Sequence, residues 1–162
     1  MKTRQGFSFI EMMVVILIIG ILATMAGVIF FNIRAKANDT KRKAELSQIG
    51  KFFTSSCYLP TAGAGTYDLV DLINELIAQD AKYQALNVKS WRDPKTGIAT
   101  HSNYLYIVTA EKDCCLYANL ESDNEPITLP NISVPTPGGG TGVFASSTPG
   151  FNGSKKYFQI AN

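Results

Sequence analysis

The segment from Phe7 to Phe31 is apolar along nearly its whole length and carries one charge, Glu11. As a helix rising about 1.5 Å per residue it would be roughly 38 Å long, more than the roughly 30 Å hydrocarbon thickness of a bilayer. A run of this kind is expected in lipid or against other apolar helices, not folded into the core of a small domain. A secretory signal places its small-residue cleavage site after the apolar stretch, whereas the small residue here, Gly6, precedes it, so the apolar helix is expected to be retained. Within that helix Glu11 is the anomaly. A carboxylate at membrane depth costs a few kcal/mol and demands a partner. Cleavage after Gly6 would create one, because the new α-amine of Phe7 stands four residues before Glu11, on the same helix face.

The sequence Gly6-Phe7-Ser8-Phe9-Ile10-Glu11, continued by the apolar stretch from Met12 to Ala23, resembles the N-terminus of type IV pilins and type II secretion pseudopilins. The resemblance covers about thirty residues and implies a precursor cut after Gly6 by a prepilin peptidase on the cytoplasmic side, with Phe7 then N-methylated. It further implies that Glu11 pairs with a neighbouring subunit's N-terminal amine as helices pack into a filament, a pairing that avoids the cost of an orphaned buried charge and acts mainly to set register. Many members of the family carry proline where this chain has Val28, which leaves Gly20 and Gly27 as the soft points of the helix. No cofactor is implied. The implied partners are copies of the chain and related pilins, the prepilin peptidase and methylase, the assembly platform with its ATPase, and the membrane.

The organisation that follows is a leader at 1–6, a transmembrane and filament-core helix at 7–31, an amphipathic continuation at 32–57, and a globular head at 58–162 with a loop-rich C-terminal part. The fold class expected is α+β and pilin-like: the second half of the long helix packs against a second helix and a small antiparallel sheet. Lys and Arg number 15 against 13 acidic residues. Removing Lys2 and Arg4 with the leader leaves 13 against 13, so the mature chain is formally neutral and advertises no nucleic-acid surface. Arg34, Lys36, Lys41, Arg42 and Lys43 follow the span, and the positive-inside rule taken alone would put the head in the cytoplasm. The cleavage motif overrules it, so the head is placed outside the cytoplasm, first on an anchored precursor and then on an extracellular or periplasmic filament. The basic cluster is expected as a solvated face near phospholipid headgroups, the alternative being contacts to acids such as Asp68, Asp71, Glu75 or Asp80 on a stacked copy.

Nothing from Asn32 to Phe53 breaks a helix, Asp39 and Lys43 form a favourable i,i+4 pair, and Leu46, Ile49, Phe52 and Phe53 make an apolar stripe. A second helix is expected from Tyr67 to Leu86, capped by Thr66 or Asp68, with Leu69, Leu72, Ile73, Leu76 and Tyr83 facing inward. Asp93-Pro94-Lys95-Thr96-Gly97 has the chemistry of a turn and is read as a hinge between elements. Tyr104–Thr109 and Cys114–Leu120 read as a β-hairpin, and Lys156–Ile160 as a last strand, while the Pro- and Gly-rich stretch 126–150 is expected to be a long exposed loop. Period-two alternation puts Cys114, Leu116, Ala118 and Leu120 on the apolar face and Cys115 on the other. A Cys57–Cys114 disulfide with Cys115 free is therefore expected, worth roughly 4 kcal/mol, and stands against three reduced cysteines in the core.

Catalysis finds no support: His101 has no nucleophile and acid arranged around it, and the cysteines lack a CxxC spacing suited to zinc. Asp123-Asn124-Glu125 is similar to the calcium loops of some major pseudopilins but lacks the ligand spacing of an EF-hand, and no metal is assigned. Asn38, Asn131 and Asn152 begin N-x-Ser/Thr triplets. The function expected is that of a structural subunit, a prepilin of a type IV pilus-like or type II secretion pseudopilus filament. A single-pass anchored surface binding module that never assembles is the alternative, and pilus and pseudopilus subunits share the signature.

Overall fold

The computed structural model describes residues 8–86 and 90–162, with the side chains at 26–29 and 31 outside the described set. It is α+β. The chain divides into two compact units between Ala35 and Lys36. The first helix, α1 (Phe9–Thr54), is 46 residues long. Its start is fixed by Ser8 and Glu11: the Ser8 backbone N–H donates to Glu11 Oε2 at 2.8 Å, one half of a capping box that satisfies a donor the helix itself cannot. Among the described residues no helix is long and apolar enough to cross a membrane. Part of the expected 7–31 span lies outside the described set.

In the second unit α1 is followed by β1 (Gly65–Asp68), α2 (Leu69–Gln79), a 3-10 helix (Ala81–Leu86), β2 (Tyr104–Val108), β3 (Cys114–Asn119), β4 (Gly142–Ala145) and β5 (Lys156–Ala161). The strands form one antiparallel sheet in the order β1-β2-β3-β5-β4. Alternation along β2 buries Tyr104, Tyr106 and Val108, and the register sets them beside Ala118, Leu116 and Cys114 of β3. That face meets Leu46, Ile49 and Phe53 of α1 and Leu69, Leu72, Ile73 and Leu76 of α2 in one core. At Gly50 α1 packs closely on β5, since a Cβ there would lie 3.1 Å from the Ile160 side chain. Cys57, in a positive-φ conformation just past the end of α1, is joined by a disulfide to Cys114 of β3, their Cα atoms 5.5 Å apart, and Cys115 is a buried free thiol.

The expected second helix is shorter than 67–86. Residues 65–68 pair with β2, so Tyr67 belongs to a strand, and Asp68 is both the last strand residue and the helix cap, accepting from the Val70 N–H. At the other end Asp80 is extended and caps the helix by donating to the Leu76 carbonyl, leaving 81–86 as a 3-10 turn. The expectation of an unbroken loop over 126–150 is also corrected. β4 lies inside it with Val143 and Phe144 buried, and Phe144 stacks on Tyr157 of β5 at 5.4 Å. The outer edge of β4 is covered by the Thr128 and Leu129 N–H groups, which both donate to the Val143 carbonyl. Gly142 is required there, because a Cβ would sit 2.3 Å from Thr128 Oγ1. The Gln159 side chain accepts from Thr136 N–H and donates to the Thr136 and Gly140 carbonyls, which ties the Pro/Gly-rich stretch down.

Candidate assembly segment and the stem base

The carboxylate of Glu11 lies at the head of α1, where the helix dipole favours a negative charge, and Oε2 takes the Ser8 N–H. Phe9, Ile10 and the other apolar side chains described through Met25 are exposed, Phe9 at 79% and Ile16 at 62%. A continuous apolar surface of this extent on one helix marks an interaction surface. Gly6 and Phe7, the expected cleavage and methylation positions, lie outside the described residues.

At the base of the second unit, the cluster expected to be a solvated basic face is in part something else. Arg42 is fully buried. It forks onto Asp93, with Nε to Oδ2 at 2.7 Å and Nη2 to Oδ1 at 2.9 Å, and its Nη1 reaches Asp39 Oδ1 at 2.7 Å. Asp39 in turn accepts the backbone N–H groups of Glu121 and Ser122, and Asp93 accepts those of Lys95 and Thr96 and the side-chain amide of Asn152. Lys43 pairs with Glu125 instead of Asp39, and Lys41 with Glu45. Among the described residues no buried side-chain nitrogen or oxygen is left unpartnered. Burial alone would push the Asp93 carboxyl up, but the Arg42 guanidinium, Asn152 and two backbone donors overcome it and hold it at about 2. Burial would likewise make Arg42 easier to deprotonate, and the Asp93 and Asp39 carboxylates reverse this and raise it.

The segment 93–97, expected as a hinge, is a turn whose Asp93 is the stem's ion-pair partner. Gly97 closes it, since a Cβ there would meet the Asp93 backbone at 2.7 Å. The signal was present: continuing the Leu46, Ile49, Phe53 stripe back by seven and by four residues from Leu46 falls on Asp39 and Arg42, the inward face.

The acids proposed as partners for a stacked copy are mostly engaged within their own chain. Asp68 takes the Ser102 and Asn103 N–H groups, Glu75 takes the Thr61 N–H and the Tyr58 hydroxyl, and Asp80 pairs with Lys82. The 123–125 stretch does not converge on a cation site: Asp123 accepts from the Lys155 N–H and Glu125 bonds Lys43. Among the described residues no group of His, Cys, Asp and Glu could hold a metal ion. His101 is exposed, its Nδ1 beside the Thr100 hydroxyl, and burial pushes the Cys115 thiol up to about 12, far from nucleophilic use. Of the triplet asparagines, Asn152 is buried and bonded, Asn38 donates to Glu121, and Asn131 is exposed.

Residues 1–27 match the family model described as the prokaryotic N-terminal methylation motif. The match supports a prepilin-type N-terminal segment of the kind found in type IV pilins and pseudopilins. No curated protein and no solved structure gives a match to the chain.

Proposed function

We propose that this chain is a structural subunit of a type IV pilus-like or type II secretion pseudopilus filament, made as a precursor, cut after Gly6 and methylated on Phe7. The observation that carries the reading is Glu11, the lone carboxylate of an apolar helix, standing five residues after Gly6 within the methylation motif. Residues 7–31 anchor the precursor in the cytoplasmic membrane with the head, 58–162, on the far side, and 32–57 link the two. On assembly the helix leaves lipid for a bundle of like helices, where the Glu11 carboxylate receives the terminal amine of a neighbour. The capping bond to Ser8 engages Oε2 of the same carboxylate. The partners follow: the peptidase and methylase, the assembly platform and its ATPase, and other copies or related pilins. The role is structural and needs no cofactor.

The test is electron microscopy of surface filaments in cells making the wild type or Glu11→Ala. The wild type gives fibres that immunogold labels along their length, and the variant is inserted and processed but assembles inefficiently. Normal fibres in the variant would remove the pairing, and unlabelled surfaces with monomeric wild-type protein would favour the anchored, non-assembling alternative.

A further inference from the structure

The stem, residues 36–54 of α1, is attached to the rest of its unit by two surfaces of opposite chemistry. From Leu46 to Phe53 the contact is apolar, with Leu46, Ile49 and Phe53 inside the core and the Cys57–Cys114 bond just beyond. From Asn38 to Glu45 no residue joins that core. The attachment is made by hydrogen bonds and ion pairs, in which Asp39 holds 121–122, Arg42 holds Asp93, Lys43 holds Glu125 and Glu45 holds the Tyr104 hydroxyl at 2.6 Å. Arg42 links the two carboxylate anchors, one branch on Asp39 and the other on Asp93.

The two surfaces differ in what water does when they part. Separating the apolar one exposes hydrocarbon, and nothing in the solvent compensates. Separating the polar one returns a guanidinium and several carboxylates to water, whose hydration makes good most of the lost pairing. The polar layer is therefore the low-stability part of the unit, and its shared guanidinium makes its bonds fail together.

We infer that the layer centred on Arg42 opens as one cooperative unit while the core and disulfide stay closed, releasing residues 36–45 of the stem from 93–97 and 121–125. The head is thereby held permanently over one half of its stem and releasably over the other. The inference stands whether or not the chain assembles into filaments.

Native-state hydrogen exchange read by mass spectrometry on the full chain in detergent micelles at neutral pH, disulfide intact, tests it. In the wild type, the amides at 95–96 and 121–122 exchange through a shared opening at least tenfold more frequent than that of β2 and β3. Asp93→Asn then raises both sets by a similar factor of tenfold or more, although 121–122 bond to Asp39, and keeps both at least tenfold faster than the strands, which accelerate only as far as the whole unit is destabilised. Acceleration at 95–96 alone, or a variant in which the layer and the strands exchange at one common rate, would overturn the inference. Should the variant not fold, the wild type decides by itself: a common rate for the layer and the strands refutes separate opening, and a distinct faster rate shared by both anchors supports it.

Discussion

Removing the Cys57–Cys114 bond gives a magnitude that follows directly from the structure. The bond spans 57 residues, and closing a loop of that size removes unfolded-state entropy worth about 4 kcal/mol at 25 °C. Both cysteines are buried, so replacing them by alanine also deletes two packed sulfurs, at a further cost of about 1 kcal/mol. For a unit between 100 and 150 residues each kcal/mol moves the melting temperature by about 3 to 5 °C, which for the sum of about 5 kcal/mol predicts a fall of about 15 to 25 °C. Circular dichroism at 222 nm on the detergent-solubilised chain, with and without reductant, measures it. The reduced wild type should melt near the Cys57→Ala/Cys114→Ala variant, and Cys115→Ala should stay within a few degrees of the oxidised protein. A fall of less than about 5 °C in the double variant would refute the reasoning, because it would mean that the unfolded chain gains little freedom when the bond is cut.

Three further outcomes are expected. The Asp93 carboxyl is held at about 2 against an ordinary value near 3.8, a folded-state depression, so its contribution of about 2 kcal/mol is complete above pH 4 and lost as pH falls toward 2; acid titration of stability should lose this step in Asp93→Asn, and an unchanged acid limb would contradict the assignment. Asp68→Ala removes a helix cap and the acceptor for the Ser102 and Asn103 N–H groups together, predicting a loss of about 3 kcal/mol by urea denaturation, where a loss under 1 kcal/mol would contradict it. Gly97→Ala pushes a methyl into the Asp93 backbone and should cost about 2 kcal/mol or more, whereas Gly20→Ala, with open space around it, should be neutral or stabilising in the same assay.

The apolar parts of this fold were legible because hydrophobic periodicity reports burial directly. Leu46, Ile49 and Phe53, the inward face of α2, the hairpin at 104–119 and the last strand all follow from spacing, whereas Phe52, expected in the same stripe, is exposed. What was hidden is polar or non-local. Arg42, Asp39 and Asp93 look like solvated charges one at a time, and only the pairing of residues 51 apart makes their burial tolerable. Tyr67 carries helical spacing, yet pairing of 65–68 with β2 claims it for the sheet, an interaction no local pattern records. β4 is four residues set among Pro and Gly, so composition reads as loop while Val143 and Phe144 complete the sheet. At the N-terminus the Gly6 to Glu11 spacing was visible at once, and the capping bond to Ser8 is an added use of the same carboxylate.

The central claim is that a carboxylate in the apolar helix waits for an amine that processing creates. Intact-mass and N-terminal peptide spectrometry of the protein recovered from cells with an active peptidase tests this most directly. The account predicts a chain that begins at N-methylated Phe7, and recovery of a chain that still begins at Met1, with the leader attached, would contradict it.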